Sequence, residues 1–157
     1  MGMEFSPERQ AELDRLLPRY PVREAALLPA LRLAQQEFGY ISNDVIEFVA
    51  GLLELPTARV RAVATFYTMY DMRPVGRYHV QVCQNLSCSM MGAEHIVAHL
   101  EKRLGVKAGE TTADRKFTLS RVECLGACGT APVMQINDDY YEALTPERVT
   151  EILEGLE

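Results

Sequence analysis

RYHVQVCQNLSCSMMG, residues 77–92, is where the chain changes character. Pro74 and Gly76 break the pattern that precedes it, and residues 77–83 then alternate in the two-residue period of a β-strand. That strand delivers Cys83 and, after four intervening residues, Cys88. Beyond Gly92 a helical period runs from about Ala93 to Leu104 and stops at Gly105. A second strand, KFTLSRVEC (116–124), sets Phe117, Leu119 and Arg121 against Thr118, Ser120 and Val122. It leads into VECLGACGTAP (122–132), which holds Cys124 and Cys128. PVMQIN (132–137) reads as a third strand, DD (138–139) as a turn and YYEAL (140–144) as a fourth strand. Thr145 and Pro146 open a last helix through PERVTEILEGL.

The half before residue 75 reads as four short amphipathic helices. SPERQAELDRLLPRY offers Ser6 as N-cap, Pro7 at the first helical position and an apolar face at Leu13, Leu16 and Leu17. REAALLPALRLAQQEFG repeats apolar residues at Leu27, Leu28, Leu31, Ala34 and Phe38 before Gly39, so Pro29 belongs in its first turn or kinks it. SNDVIEFVAGLLEL starts at Ser42 or Asn43, and PTARVRAVATFYTMY is expected to use Thr57 as its cap. The expected class is therefore α+β: a small helical bundle over residues 1–74, then a β-α-β-β-α domain over residues 75–157. That order resembles the thioredoxin arrangement, a sheet covered by helices.

With 157 residues the chain can bury a core without a metal or disulfide merely to fold. Net charge is −6, and residues 1–74 carry 8 basic and 10 acidic side chains against 8 and 12 in the remainder, so neither half suits a nucleic-acid or anionic-membrane surface. The most apolar run, VIEFVAGLLEL, is interrupted by Glu47 and Glu54 and too short to span a bilayer, so direct membrane insertion is not expected. MGMEFSPERQ lacks the basic and apolar regions of a secretory signal. Gly2 and Ser6 match a loose myristoylation pattern that no polybasic patch supports. A cytoplasmic location, free or in a peripheral arm attached to an inner membrane, is the expectation. There, paired cysteines serve metal or redox chemistry more often than disulfides.

The pairs C-x4-C and C-x3-C are separated by 35 residues, room for one helix and the start of a strand. If the two strands lie side by side, both loops leave the same edge and four thiolates can converge. Sulfur ligation suits tetrahedral zinc or an iron–sulfur cluster. The wide loops favour a 2Fe-2S unit over zinc, which prefers tighter knuckles; structural or redox thiols stay open. Such a unit carries roughly −2 charge when oxidised and one more when reduced, and Gly92, Gly126 and Gly129 are expected to let backbone N–H groups approach it. Met91 stands where a plant-type ferredoxin has its third cysteine, and no C-x-x-C occurs, which argues against that ferredoxin and against a dithiol oxidoreductase.

The cysteine pattern, with ECLGACGTAP around the second pair and ATFYTMY closing the helical region, resembles the small thioredoxin-like 2Fe-2S (NuoE-type) subunit of NADH dehydrogenases, a family also found in NAD-linked hydrogenases and formate dehydrogenases. The likeness runs over nearly the whole chain. It implies one 2Fe-2S cluster bound by Cys83, Cys88, Cys124 and Cys128. It implies docking on a larger subunit that binds FMN and NADH, within a complex holding further iron–sulfur subunits. The chain then acts as the electron-transfer subunit of an NADH:acceptor oxidoreductase. No dinucleotide loop, phosphate loop or catalytic triad occurs, so it has no complete active site of its own. The alternative is a zinc-stabilised protein- or DNA-binding module without redox activity.

Other residues weigh less. His95 and His99 stand at i, i+4, but Ile96 replaces the glutamate that a zincin needs, and a solvated helix face is the better reading. His79 reads as a neutral, half-buried side chain that would tune a nearby centre only if protonated. The third and fourth helices, joined by LPTA, resemble a helix-turn-helix with Arg59 and Arg61 available to phosphate, against the acidic balance. Phe66, Tyr67 and Tyr70 read as core and junction, with Tyr67, Tyr70 and Met72 as candidate partner contacts. Met90 and Met91 either shield the centre or simply pack. The Ala131–Pro132 bond sits where thioredoxin folds often hold a cis-proline, with trans as the default.

Overall fold

The computed structural model describes residues 3–156, so Gly2 and its lipidation pattern lie outside the described residues. The chain divides into two compact units, Met1–Pro74 and Val75–Glu157.

The first unit holds α1 (Pro7–Leu16), α2 (Leu27–Phe38), α3 (Asn43–Leu53) and α4 (Thr57–Phe66). Ser6 and Ser42 cap α1 and α3 with side-chain oxygens that accept from the Arg9 and Val45 N–H groups. Gly39 ends α2 at φ 84°, a left-handed turn that needs no Cβ. Pro29 falls in the first turn of α2. Thr57 is not a cap: Pro56 takes that place, its carbonyl accepting from the Arg59 and Val60 N–H groups, and Thr57 is already helical. The apolar faces meet in a core that includes Leu13, Leu31, Ile46, Leu53 and Val60, all within 1% of full burial. Phe5, Phe38 and Phe48 add a stacked and edge-on trio with centroids 4.9–5.8 Å apart.

The aromatic run after α4 does not stay together. Phe66 and Tyr67 are exposed, whereas Tyr70 is buried and its hydroxyl donates to the Leu28 carbonyl at 2.7 Å. The helix ends at Phe66, and a turn closed by Tyr70 N–H on Tyr67 O redirects the chain inward. Burial pushes the Tyr70 phenol up from 10.0 to about 12, with Arg32 pulling weakly the other way. The stability this tyrosine contributes is therefore complete below about pH 10 and lost as pH rises toward about 12, because the unfolded chain ionises first. Tyr70→Phe should cost about 1 kcal/mol at neutral pH and flatten that alkaline decline in denaturant titrations. An unchanged alkaline slope would contradict the assignment.

The second unit is one mixed sheet with helices packed on it. β1 (Tyr78–Cys83) is flanked by β2 (Phe117–Val122) and β3 (Met134–Ile136), with β4 (Asp139–Tyr141) at the far edge, in the order β2-β1-β3-β4. β1 and β2 are parallel, so the chain must cross back between them, and α6 (Ala93–Leu104) is that crossover, reached through a short helix, α5 (Leu86–Met90). β3 and β4 run antiparallel. α7 (Pro146–Glu154), capped by Thr145, packs against α6. Val80, Val82, Ile96, Leu100, Leu119 and Met134 form the buried centre. β2 departs from simple alternation: Thr118 is buried as well as Phe117 and Leu119, because its hydroxyl accepts from Gly76 N–H at 2.6 Å. The Ala131–Pro132 bond is cis rather than the default trans. No helix among the described residues is long and apolar enough to cross a membrane.

Candidate metal centre

The parallel pairing of β1 and β2 sets the site. Register runs from Tyr78 opposite Phe117 to Cys83 opposite Val122, so both strands end at one level and both cysteine segments leave the same end of the sheet. Cys83 is the last residue of β1. Cys88 sits on the five-residue helix α5, capped by Asn85, whose side-chain oxygen accepts from the Leu86 N–H at 2.7 Å. Cys124 follows β2 by two residues and Cys128 opens a short 3-10 turn, Cys128–Thr130.

Cys83 and Cys88 are buried at 3% and 2% exposure, whereas Cys124 and Cys128 are exposed. The buried thiols share a hydrogen bond. Burial pushes both upward. At Cys83 the N–H groups of Asn85 and Leu125 and the bond from Cys88 outweigh it, leaving that thiol below its ordinary range. At Cys88 burial and the Cys83 bond add together, and the Val133 N–H offsets them only in part, so its thiol lies above. Cys128 lies within electrostatic reach of Cys88, and Cys124 Sγ accepts from the Gly126 N–H at 3.3 Å. Among the described residues no group of three or more His, Cys, Asp or Glu side chains is gathered as a metal cage.

The donor set still fits a thiolate-held group. Four backbone N–H groups point at three of the sulfurs, which suits sulfur bearing negative charge better than neutral thiol. Of the three glycines, Gly92 and Gly126 hold φ of 93° and 78°, which L side chains avoid, while a Cβ on Gly129 would meet nothing within 4 Å.

Elsewhere the side chains are otherwise engaged. His95 is exposed, but His99 Nε2 lies 2.9 Å from Thr150 Oγ1, so the two do not form a ligand pair. His79 Nε2 meets Ser120 Oγ at 2.8 Å. Arg59 pairs with Glu24 at 2.7 Å and Arg61 donates to Asn43 Oδ1 at 3.0 Å. Met90 and Met91 do not pack inward; with Leu86 they leave an apolar surface at 78%, 63% and 71% exposure around α5. The Asn85 cap, the α5 helix, the Leu125 and Val133 donors and a Gln84–Glu123 bond are features that sequence reasoning misses. Asn85, three residues before Cys88, is the one local cue.

A four-stranded mixed sheet, backed by helices and carrying two cysteine segments at the shared end of its parallel pair, defines a thioredoxin-like domain of the ferredoxin kind. The chain belongs to the thioredoxin-like 2Fe-2S ferredoxin family, whose sequence profile matches residues 13–157. It is 48% identical over 144 residues to the second E-type NADH-quinone oxidoreductase subunit of Rhizobium meliloti, covering 92% of this chain and 86% of that one. It is also 48% identical over 147 residues to the E-type NADH-quinone oxidoreductase subunit of Rickettsia conorii, covering 92% and 88%. Among solved structures, an NAD+-reducing NiFe-hydrogenase in the air-oxidised state superposes with a TM-score of 0.73 at 23% identity, over 83% of this chain and 22% of that one. At that identity the likeness speaks for the fold.

Proposed function

We propose that this chain is the electron-transfer subunit of an NADH-linked oxidoreductase, holding one 2Fe-2S cluster through Cys83, Cys88, Cys124 and Cys128. The observation that carries the reading is the parallel β1–β2 register, which sends both cysteine segments out of one sheet end beside a buried, N–H-solvated thiol pair. The family, and NADH-quinone oxidoreductase relatives at 48% identity over nine-tenths of the chain, support the same assignment.

When bound, the cluster supplies a site that gains and loses one electron without proton chemistry. The chain's residues do the rest. Cys83 and Cys88 hold the inner side in a water-poor setting, and Val82 and Val133 beside them are fully buried. Asn85, Leu125, Val133 and Gly126 N–H groups stabilise thiolate charge. Cys124 and Cys128 hold the outer side, where Leu86, Met90 and Met91 present an apolar surface to a partner. That partner is a larger subunit carrying FMN and NADH, beside further iron–sulfur subunits, on the cytoplasmic side or in a peripheral arm. Of the contacts expected on the helical unit, Tyr70 is buried, Met72 is half-buried against the core and Tyr67 is exposed; Val22, Phe66 and Met69 are further exposed apolar side chains there.

Anaerobically purified protein should be reddish-brown, with two irons and two sulfides per chain. Its visible bands should bleach on dithionite as an EPR signal from one unpaired electron appears. Colourless protein carrying one zinc would establish the zinc-stabilised module instead.

A further inference from the structure

The segments that follow β1 and β2 are joined at a point outside the four sulfurs. Gln84 N–H donates to Val122 O at 2.9 Å, extending the parallel pairing one step past Cys83. The Gln84 side-chain amide then donates to Glu123 Oε1 at 2.9 Å. Gln84 is itself held, because its carbonyl accepts from Ser89 Oγ at 2.8 Å. Glu123 is consequently fixed at both ends. Its carbonyl faces Cys83 Sγ at 3.8 Å, its side chain is tied to Gln84, and its neighbour in sequence is Cys124.

What is missing around this carboxylate matters as much. Among the described residues Glu123 makes no ion pair, and Arg121, two positions earlier, is engaged by Glu94. A lysine or arginine in place of Gln84 would hold the carboxylate and cancel its charge. A neutral amide holds it and leaves the charge whole.

We propose that Glu123, positioned by Gln84, is a fixed negative charge that lowers the reduction potential of the iron–sulfur centre. The inference rests on the function proposed above. Each electron taken up makes the loaded site one unit more negative, and a carboxylate next to a ligating cysteine opposes that by Coulomb repulsion. Because Glu123 is exposed, the repulsion is partly screened by water and falls further with salt. Gln84 is a positioning residue: it touches no sulfur but keeps the carboxylate beside the cysteine segments instead of free in solvent.

The test is a potentiometric titration of the loaded full-length chain, followed by its visible bands, after iron and sulfide content have been measured. Glu123→Gln keeps the side-chain size and the oxygen that Gln84 binds, and removes only the charge. Its midpoint should lie above wild type at low ionic strength. The gap should close at roughly 1 M salt, where the screening length falls to about 3 Å. Gln84→Ala, which leaves the carboxylate but frees it, should shift in the same direction by less. A loaded Glu123→Gln protein with an unmoved potential overturns this proposal and leaves the functional reading intact. If Glu123→Gln takes up no cluster, Gln84→Ala decides: a raised midpoint supports the proposal and an unmoved one overturns it. A wild-type chain that takes up no iron and sulfide overturns both.

Discussion

Cys124→Ser is expected to strip the chain of its iron–sulfur chromophore while leaving the polypeptide folded. The two halves of that result have separate causes. Cys124 is exposed and lies outside the β2 ladder, so exchanging its sulfur for oxygen removes no core packing. Unloaded mutant and unloaded wild type should therefore unfold together, within the roughly 0.5 kcal/mol typical of surface changes. Serine, however, offers a hard hydroxyl that stays protonated at neutral pH where the centre requires a soft thiolate. Altering even the hydrogen-bond partners of metal ligands commonly costs about 10–100-fold in affinity, so losing a ligand should cost at least that. Iron content and the visible bands should fall by tenfold or more, to a level of about 0.1 of wild type or less. Unchanged iron and an unchanged spectrum would remove Cys124 from the ligand set.

The second large effect lies at the other end of the sheet. A Cβ on Gly76 would stand 2.8 Å from Phe117 C, 2.9 Å from Phe117 N and 3.0 Å from Arg115 O. All three are backbone atoms, so no side chain can swing aside. Gly76 N–H also donates to the buried Thr118 hydroxyl, and Arg77 N–H to Arg115 O, at the point where β1 and β2 begin to pair. Gly76→Ala must push the strands apart at this point, at a cost of about 3 kcal/mol or more in chemical denaturation. Gly129→Ala, whose Cβ meets nothing within 4 Å, is the matched control and should be nearly silent for folding. Equal stabilities for the two variants would mean that close strand approach at Gly76 does not set the β1–β2 pairing on which the site depends.

What the sequence made legible was governed by neighbours a few residues away. Ser6, Ser42 and Thr145 cap their helices because a hydroxyl beside a helix start meets free N–H groups whatever the fold around it. Thr57 misled because Pro56, one position earlier, already supplies the carbonyl that begins the helix. The strand alternation around Val80 and Val82 was equally local, as was the fitness of both strands to end in cysteine. Tyr70 was not legible as core apart from Phe66 and Tyr67, because the helical period stops at Phe66 and a turn then chooses which ring goes inward. The α5 helix was missed since five residues are too few to show a period. The difference between buried Cys83 and Cys88 and exposed Cys124 and Cys128 was out of reach for another reason. It depends on which segment lies under the β3 approach, with Cys83 N–H bonded to Val133 O, and that contact spans fifty residues. The Gln84–Glu123 bond likewise joins residues 39 apart and leaves no pattern in the chain.

The most direct measurement is an anomalous difference map at the iron edge, from crystals of the full chain grown without oxygen. Two adjacent iron peaks should appear at the end of β1 and β2, bridged by sulfide, with the sulfurs of Cys83, Cys88, Cys124 and Cys128 all bonded to them. A lone metal at that place, or irons bound with one of those four sulfurs turned away, would contradict the account.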